Sequence, residues 1–342
     1  MNLASLVIAA GASFRLLGPE QTMIPSKKKI IAICATRTGA GKSMVSQTVS
    51  KILKEKGCRL AAIRHPMPYD PNLKSQEVQK FSTPKDLDRY RATIEEREEH
   101  DPYIEKGASI YAGVDYQKIL KVAEKEADII LWDGGNNDFS FLKTDFYITV
   151  VDPYRVGDEL KYWPSEINLF LSDLIIISKI GTASKKQVEQ TIKNIRQINK
   201  RAKIIKVKSI STINQPKLIR GKKIFIIEDA PTVTHGQGQS YGLILAKRFG
   251  AKEIVNPKTA AVGEILKTMK KYPHLKVVPT MGYGKKQIKD LEKTINRANC
   301  DAVLAITSAN LNNLIKANKP IVRLKNDFDR KTNEAIKKLL PF

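Results

Sequence analysis

Residues 34–43 read CATRTGAGKS and follow directly on the apolar run Ile30-Ile31-Ala32-Ile33. Glycine has no Cβ, so successive N–H groups in such a loop can turn inward around an anion, and a helix starting at the lysine adds its positive end. Thr38, Gly39, Ala40, Gly41, Lys42 and Ser43 are the expected phosphate-binding residues. Lys42 would reach the β and γ phosphates of ATP, and the Ser43 hydroxyl would hold Mg2+. Strict G-x4-G-K-[ST] spacing asks for a glycine at position 36, where this chain has Thr36. A second carboxylate for the metal is needed at the end of a buried strand. Asp133 in DIILWDGGNND meets that need, with two glycines after it that allow close approach. The plain alternative is a turn acid closing a strand.

The elements around these residues have the right types. Residues 30–34 are strand-like, MVSQTVSKILKEKG has helical spacing with Gly57 as its stop, and RLAAIRHP is a second strand ended by Pro66. Strand, glycine loop, helix, strand opens a parallel sheet, so the expected fold class is α/β: mostly parallel strands flanked by helices, with a second, smaller α/β unit. The polar stretch 67–113 reads as a charged insertion, with Glu95, Glu96, Glu98 and Glu99 as a solvated helix face and a catalytic cluster as the alternative. Alternation resumes with DYQKILKVAEKEA, DIILWDGG, FYITVVDP and DLIIISK. A unit of the same rhythm starts near Gly221. The expected organisation is an amino-terminal remnant at 1–26, a nucleotide-binding domain at 27–220 and a carboxy-terminal domain at 221–342.

Composition bounds the function. Among 342 residues, Lys plus Arg number 59 against 35 acids, a formal charge of +24. That excess attracts polyanions, but it is spread along the chain with no basic arm, and a generally solvated surface explains it equally well. No recognition module or interleaving of aromatic and basic residues supports specific nucleic-acid binding. No apolar run nears the roughly 18 residues that span a bilayer, so no membrane partner is expected. MNLASLVIAAGA lacks the basic leading region of an export signal. Cys34, Cys58 and Cys300 form no CxxC pair and suit a reducing cytoplasm.

RTGAGKS resembles the loop of the P-loop branch that includes dethiobiotin synthetase and the MinD-like ATPases. The MinD type carries a basic residue where Arg37 sits, which implies a catalytic contact between Arg37 and phosphate; a surface arginine is the alternative. Over nearly the whole chain, from Leu3 to Arg323, RTGAGKS, IRHPMPY, TIEEREE, YAGVDY, LWDGGNNDF, VVDP, APTVTHG and MGYG resemble, in order, the family known as cyclic 2,3-diphosphoglycerate synthetase. The resemblance implies ATP-driven joining of the two phosphates of 2,3-diphosphoglycerate, with release of ADP and phosphate. Two strongly anionic reactants repel unless cations lie between them, so positioning and charge neutralisation are the main tasks. Lys42, Arg37 and Asp133 are then the catalytic set.

Arg64 and His65 stand at the carboxyl end of the strand expected beside the loop strand, the edge where open α/β sheets bind ligands. They are the first candidates to grip a small phosphorylated substrate; for His65 alone, a structural histidine is the alternative. Arg155, just past Asp152-Pro153, and His235 in PTVTHGQG are further substrate-side candidates, His235 also reading as an ordinary loop histidine. The chain departs from the family at three places. Ser178-Lys179-Ile180-Gly181 replaces the guanine-reading NKVD, Asp70-Pro71 replaces a glycine hinge, and Phe170 stands where relatives tend to carry arginine. These departures leave ATP binding intact and loosen the substrate assignment. The apolar residues between Leu3 and Gly18 resemble the end of an additional domain and require a covering surface, supplied by the nucleotide-binding domain or by a second copy in a homodimer. A regulatory or assembly NTPase without a small-molecule product is the alternative function.

Overall fold

The computed structural model describes residues 2–67, 72–134, 138–228, 240–281 and 284–342. Two sheets organise the chain. The first has eight strands: β1 (Lys29–Ala35), β2 (Leu60–Arg64), β3 (Gln79–Phe81), β4 (Ser109–Ala112), β5 (Ile129–Asp133), β6 (Phe146–Val151), β7 (Leu174–Ile177) and β8 (Lys203–Lys206), in the order β3-β4-β2-β5-β1-β6-β7-β8. All neighbours pair in parallel except β3, which runs antiparallel to β4 at the edge.

The apolar runs of the sequence are explained by a sheet covered on both faces. Along β1, Ile31, Ile33 and Ala35 enter one core, with Val45, Val49 and Leu53 of the helix Lys42–Glu55. Ile30, Ala32 and Cys34 enter the opposite core, around Trp132 and Tyr147. The alternation of side chains across a strand sends each neighbour to the other face.

The second sheet is built from β9 (Ser209–Ile213), β10 (Lys223–Glu228), β11 (Glu253–Ile254), β13 (Ala302–Ile306) and β14 (Ile321–Phe328), in the order β11-β10-β13-β14-β9, with β12 (Val278–Pro279) also pairing with β10. The α/β class with mostly parallel sheets is therefore as expected. The sheet memberships alter the expected boundaries. Strand β9 lies before residue 221 yet pairs antiparallel with β14. The last helix, Arg330–Leu339, returns to the first sheet, where Phe328, Ile336 and Leu340 join the core beneath the helix Lys42–Glu55.

The stretch 67–113 is likewise more than an insertion, because it contributes β3 and β4, and β4 pairs directly with β2. The segment carrying Asp70 and Pro71 lies outside the described residues. At the amino end, Leu3, Leu6 and Ile8 of the helix Asn2–Ala9 are exposed, so the nucleotide-binding domain does not supply the cover their apolar character requires. Among the described residues, no helix is long and apolar enough to cross a membrane.

Ile336 is fully buried in the core between the first sheet and the helix Lys42–Glu55, which it shares with Phe328 and Leu340. Truncating it to alanine is expected to cost about 2–5 kcal/mol in equilibrium unfolding. A loss below about 0.5 kcal/mol, typical of a surface substitution, would detach the last helix from that core.

Candidate active site

The loop leaves β1 at Ala35 and returns as the helix Lys42–Glu55, whose N-cap is Gly41 in the left-handed region (φ 100°) with no side chain capping it. Gly39 also has positive φ, at 80°. Both positions need glycine, and the uncapped first turn directs amide N–H groups and the positive helix end toward an anion. Thr38 and Gly39 form an exposed crest, while Ala40 is buried. Thr36, in the place of the expected first glycine, is buried too, and its carbonyl accepts from Ser165 Oγ at 2.5 Å.

Beneath the loop is a closed polar cluster. Lys42 Nζ lies 2.6 Å from Asp133 Oδ1, which also accepts from Ser46 Oγ at 2.8 Å. Asp133 Oδ2 accepts from Tyr103 OH at 3.0 Å, and Arg64 Nη1 lies 3.8 Å away. Arg64 Nη2 pairs with Glu99 Oε1 at 3.0 Å, while its Nε and Nη1 have no hydrogen-bond partner among the described residues. Burial alone would raise the Asp133 pKa, but Lys42 and Arg64 outweigh it and hold the carboxyl at about 2. Burial and the Asp133 charge push Tyr103 well above its ordinary value, which keeps its hydroxyl a donor. His100, fully buried next to Phe81, is pushed down to about 3 by burial and by Arg64.

The structure brings Lys42, Asp133 and Arg64 together. Ser43 and Asp133 are expected to share a metal ion rather than to touch, and the serine that donates to Asp133 is Ser46. Residues four apart share a helix face, so Lys42 and Ser46 point at β5 together, whereas Ser43 is turned about 100° away and is exposed. Both Ser43 and Asp133 offer the hard oxygens that Mg2+ prefers, which fits the ion in kind, but Asp133 Oδ1 is engaged by Lys42 and Ser46. Among the described residues, no group of three or more His, Cys, Asp or Glu side chains is arranged for a metal.

Arg37 does not face the loop interior. Its guanidinium pairs with Asp158 and lies 5.3 Å from the Tyr162 ring, and its Nε donates to Thr38 O at 3.1 Å. His65 Nδ1 is 2.9 Å from Asp138 Oδ2, at ion-pair distance but off the line of a hydrogen bond. His235 lies outside the described residues.

A cleft of about 1210 Å3 opens from Ser43. Its near wall is formed at the carboxyl ends of β6 and β7 by Asp152, Tyr154, Arg155 and Lys179. Its far wall belongs to the second sheet, with Glu228 and Thr307 at the carboxyl ends of β10 and β13, and Arg323 on β14. The helix Ile94–Ile104 spans the gap. It sends Glu99 and Tyr103 to the buried cluster, while Glu98 accepts from Thr307, Asp101 Oδ2 from Asn310 N at 2.8 Å, and Glu105, just beyond the helix, pairs with Arg323 at 2.6 Å. The acids expected on a solvated face are thus engaged: Glu96 caps its own helix through Thr93, and Glu98 and Glu99 bind opposite units. Sequence reasoning missed Tyr103, Glu99 and Ser46. Of these, only Ser46, four residues past Lys42, carried a local signal.

Loop, uncapped helix and parallel sheet with an acid at the adjacent strand end define a P-loop NTPase fold. The chain is 52% identical over 343 residues to the arginine synthetase ArcE of Thermococcus kodakarensis, a match that covers 99% of this chain and 76% of that protein. It belongs to the family of that synthetase. The cyclic 2,3-diphosphoglycerate synthetase of Thermococcus sibiricus is 34% identical over 119 residues, 33% of this chain and 26% of that one. The resemblance to diphosphoglycerate synthetases therefore extends, in that relative, to a third of the chain. LpxK from Aquifex aeolicus, solved in complex with ATP, shares the fold with a TM-score of 0.52 at 13% identity, over 99% of this chain and 93% of that one. No family model matches the chain.

Two outcomes test the cluster. Asp133→Ala leaves Lys42 and Arg64 buried without their carboxylate and is expected to cost about 3–5 kcal/mol in urea unfolding, whereas Ser43→Ala should stay within about 0.5 kcal/mol. Equal effects would show that the buried pair does not hold these elements. Second, His100 binds a proton more readily in the unfolded chain, near pH 6.5, than in the fold, near 3. Stability should therefore fall as pH drops through that window, and His100→Gln should flatten the fall between pH 6.5 and 4.5; an unchanged slope would remove His100 as its source.

Proposed function

We propose that the protein is an ATP-dependent synthetase that forms the guanidinium of arginine or a close analogue. The observation that carries this reading is the match with the arginine synthetase, which extends through both sheets and includes the loop and Asp133. A guanidinium carbon bears three nitrogens. A ureido precursor bears two nitrogens and one oxygen, and that oxygen leaves poorly as hydroxide and well as phosphate. Transfer of the γ-phosphoryl group to the ureido oxygen, followed by attack of ammonia on the same carbon, breaks the C–O bond and releases phosphate beside ADP.

In this reading the amides of Thr38–Ser43 and Lys42 hold the triphosphate, and transfer draws on positioning and charge stabilisation. Mg2+ would offset phosphate charge, with Ser43 and Asp133 as its protein ligands. Arg64, buried with two donors that have no hydrogen-bond partner among the described residues, and His65 would serve the anionic groups at the reacting end, and Arg155 the cleft side. Arg37, held by Asp158 and Tyr162, would shape the loop and reach phosphate only on leaving them.

The partial match with a cyclic 2,3-diphosphoglycerate synthetase favours a second reading of the same site. There a substrate phosphate receives the γ-phosphoryl group, and the second substrate phosphate then displaces it to close the ring. Both schemes pass one phosphoryl group to an oxygen and expel phosphate in a second displacement.

The test incubates the full chain with ATP and Mg2+, adding citrulline with ammonia in one arm and 2,3-diphosphoglycerate in the other. ADP release and phosphorus NMR are followed. Release dependent on citrulline and ammonia, and lowered by at least about 100-fold in Lys42→Ala, is the expected result. A new anhydride signal only with the bisphosphate would establish the second reading instead.

A further inference from the structure

A nucleotide on the loop leaves the far wall of the cleft to a co-substrate, and that wall presents both signs of charge in contact. Arg323 on β14 pairs with Glu105: Nη1 lies 2.6 Å from Oε1, and Nη2 lies 3.5 Å from Oε2 and donates to Ser308 O at 3.3 Å. Each partner is fixed from behind. Arg323 N donates to Asn214 Oδ1 at 2.9 Å, and Asn214 N donates to Arg323 O at 3.1 Å. Asn310 Nδ2 donates to Glu105 Oε1 at 2.8 Å. Both charged side chains still line the cleft, Arg323 being 21% and Glu105 39% exposed.

Glu98, Pro102 and Glu105, at i, i+4 and i+7, share the face of the helix Ile94–Ile104 that lines the cleft, while Glu99 and Tyr103 on the next face reach Arg64 and Asp133. Lys106, next to Glu105, donates from Nζ to Gln47 Oε1 at 2.6 Å, and Gln47 stands one turn beyond Ser43 on its helix. The ion pair is thus tied to the helix that begins at the loop. A guanidinium carries five N–H donors in one plane. Here Nη1 and Nη2 meet Glu105, and among the described residues Nε donates to none, so donors remain for a second carboxylate. Glu105 Oε2, whose one hydrogen bond among the described residues is the contact at 3.5 Å, remains an acceptor for an ammonium. An α-amino acid carries those two groups on one carbon. Laid head to tail against the fixed pair, it gains two charge-assisted contacts and adds no net charge. As a clamp between the units, a partly exposed ion pair contributes little.

We propose that Arg323 and Glu105 bind the α-carboxylate and α-ammonium of an amino-acid co-substrate, and so make a free amino acid, not a bare urea, the acceptor of the phosphoryl group. This rests on the synthetase reading of the site and adds to it the residues that recognise the head group. The ureido carbon of citrulline stands five bonds from Cα, roughly 6 Å away when extended. That span matches the helical turn from Gln47 back to Ser43.

The test follows ADP release by the full chain with ATP, Mg2+, ammonia and citrulline, and adds two inhibitors that divide the substrate. L-Norvaline has the amino-acid head and no ureido group; N-propylurea has the ureido group and no head. In the wild type, norvaline should compete with citrulline. Arg323→Ala should raise the KM for citrulline and the inhibition constant of norvaline at least about tenfold, the loss of one charge-assisted hydrogen bond. It should leave the KM for ATP and the inhibition by propylurea within about twofold. Glu105→Gln, which removes the charge and keeps an oxygen for Asn310, should act in the same direction on the same two constants. A parallel rise in the constants for ATP and propylurea would show that the pair only joins the two units. Unchanged constants for citrulline and norvaline, or no competition by norvaline in the wild type, would place the head group elsewhere. Any of these results overturns the subsite. ADP release by the wild type that does not depend on citrulline and ammonia would instead overturn the synthetase reading, and the subsite with it.

Discussion

The Asp133 carboxylate is almost wholly buried, and a charge in that position is tolerable only if cations and donors surround it. Those groups come from three directions. Lys42 and Ser46 belong to the helix behind the loop, Arg64 to the end of β2, and Tyr103 to a helix some thirty residues before Asp133 in the chain. Satisfying one carboxylate therefore fixes the loop lysine against β5 and draws the helix Ile94–Ile104 over the carboxyl edge of the sheet. Arg64 extends the same constraint. Its charge exceeds what Asp133 can balance at 3.8 Å, and Glu99 supplies the remainder from that same helix.

That helix explains how two separately cored units come to share one cleft. It buries Arg97, His100, Asp101 and Tyr103, while its first residue, Ile94, joins the core of the second sheet. Its remaining acids reach β13, the loop after it and β14. Parallel sheets present ligands at their carboxyl edges, and here the helix holds one such edge opposite another. The nucleotide loop and the second unit are thus joined by polar contacts as well as by the chain. The returning helix Arg330–Leu339 adds an apolar connection on the other side of the helix Lys42–Glu55.

What was legible in the sequence follows from the range of the interactions. The loop, its flanking strand and helix and the strand ending at Asp133 are written in local order: glycines for positive φ, an apolar run for a doubly covered strand, a 3.6-residue period for the helix. The α/β class follows from them. Tyr103 and Glu99 had no such signal, because the helix that carries them has no apolar stripe; its inner side meets charges and its outer side meets another unit, so its composition imitates a solvated surface. Strand β9 was hidden for a related reason. It is an edge strand of alternating exposure, and its partner, β14, lies more than a hundred residues later. Ser46 was legible in principle, since i and i+4 share a face, but the loop motif itself specifies only the serine adjacent to Lys42.

The charge of the cleft bears on which co-substrate the site suits. The chain as a whole carries +24, yet among its described residues the cleft wall holds six basic side chains against five acidic ones. A substrate bearing two phosphates meets the acids of that wall as well as its bases, and one unscreened like-charge pair at 4 Å costs about 4 kcal/mol at the effective dielectric of a protein surface. The nucleotide already brings several negative charges to the same space. An amino acid, zwitterionic at one end and neutral at its ureido end, adds no net charge and can use both signs of the wall. In the proposed reaction the side chain would gain a positive charge as arginine forms, and the acids of the wall would then favour the product. The local balance, set against so basic a chain, supports amidination of a ureido amino acid over closure of a bisphosphate ring.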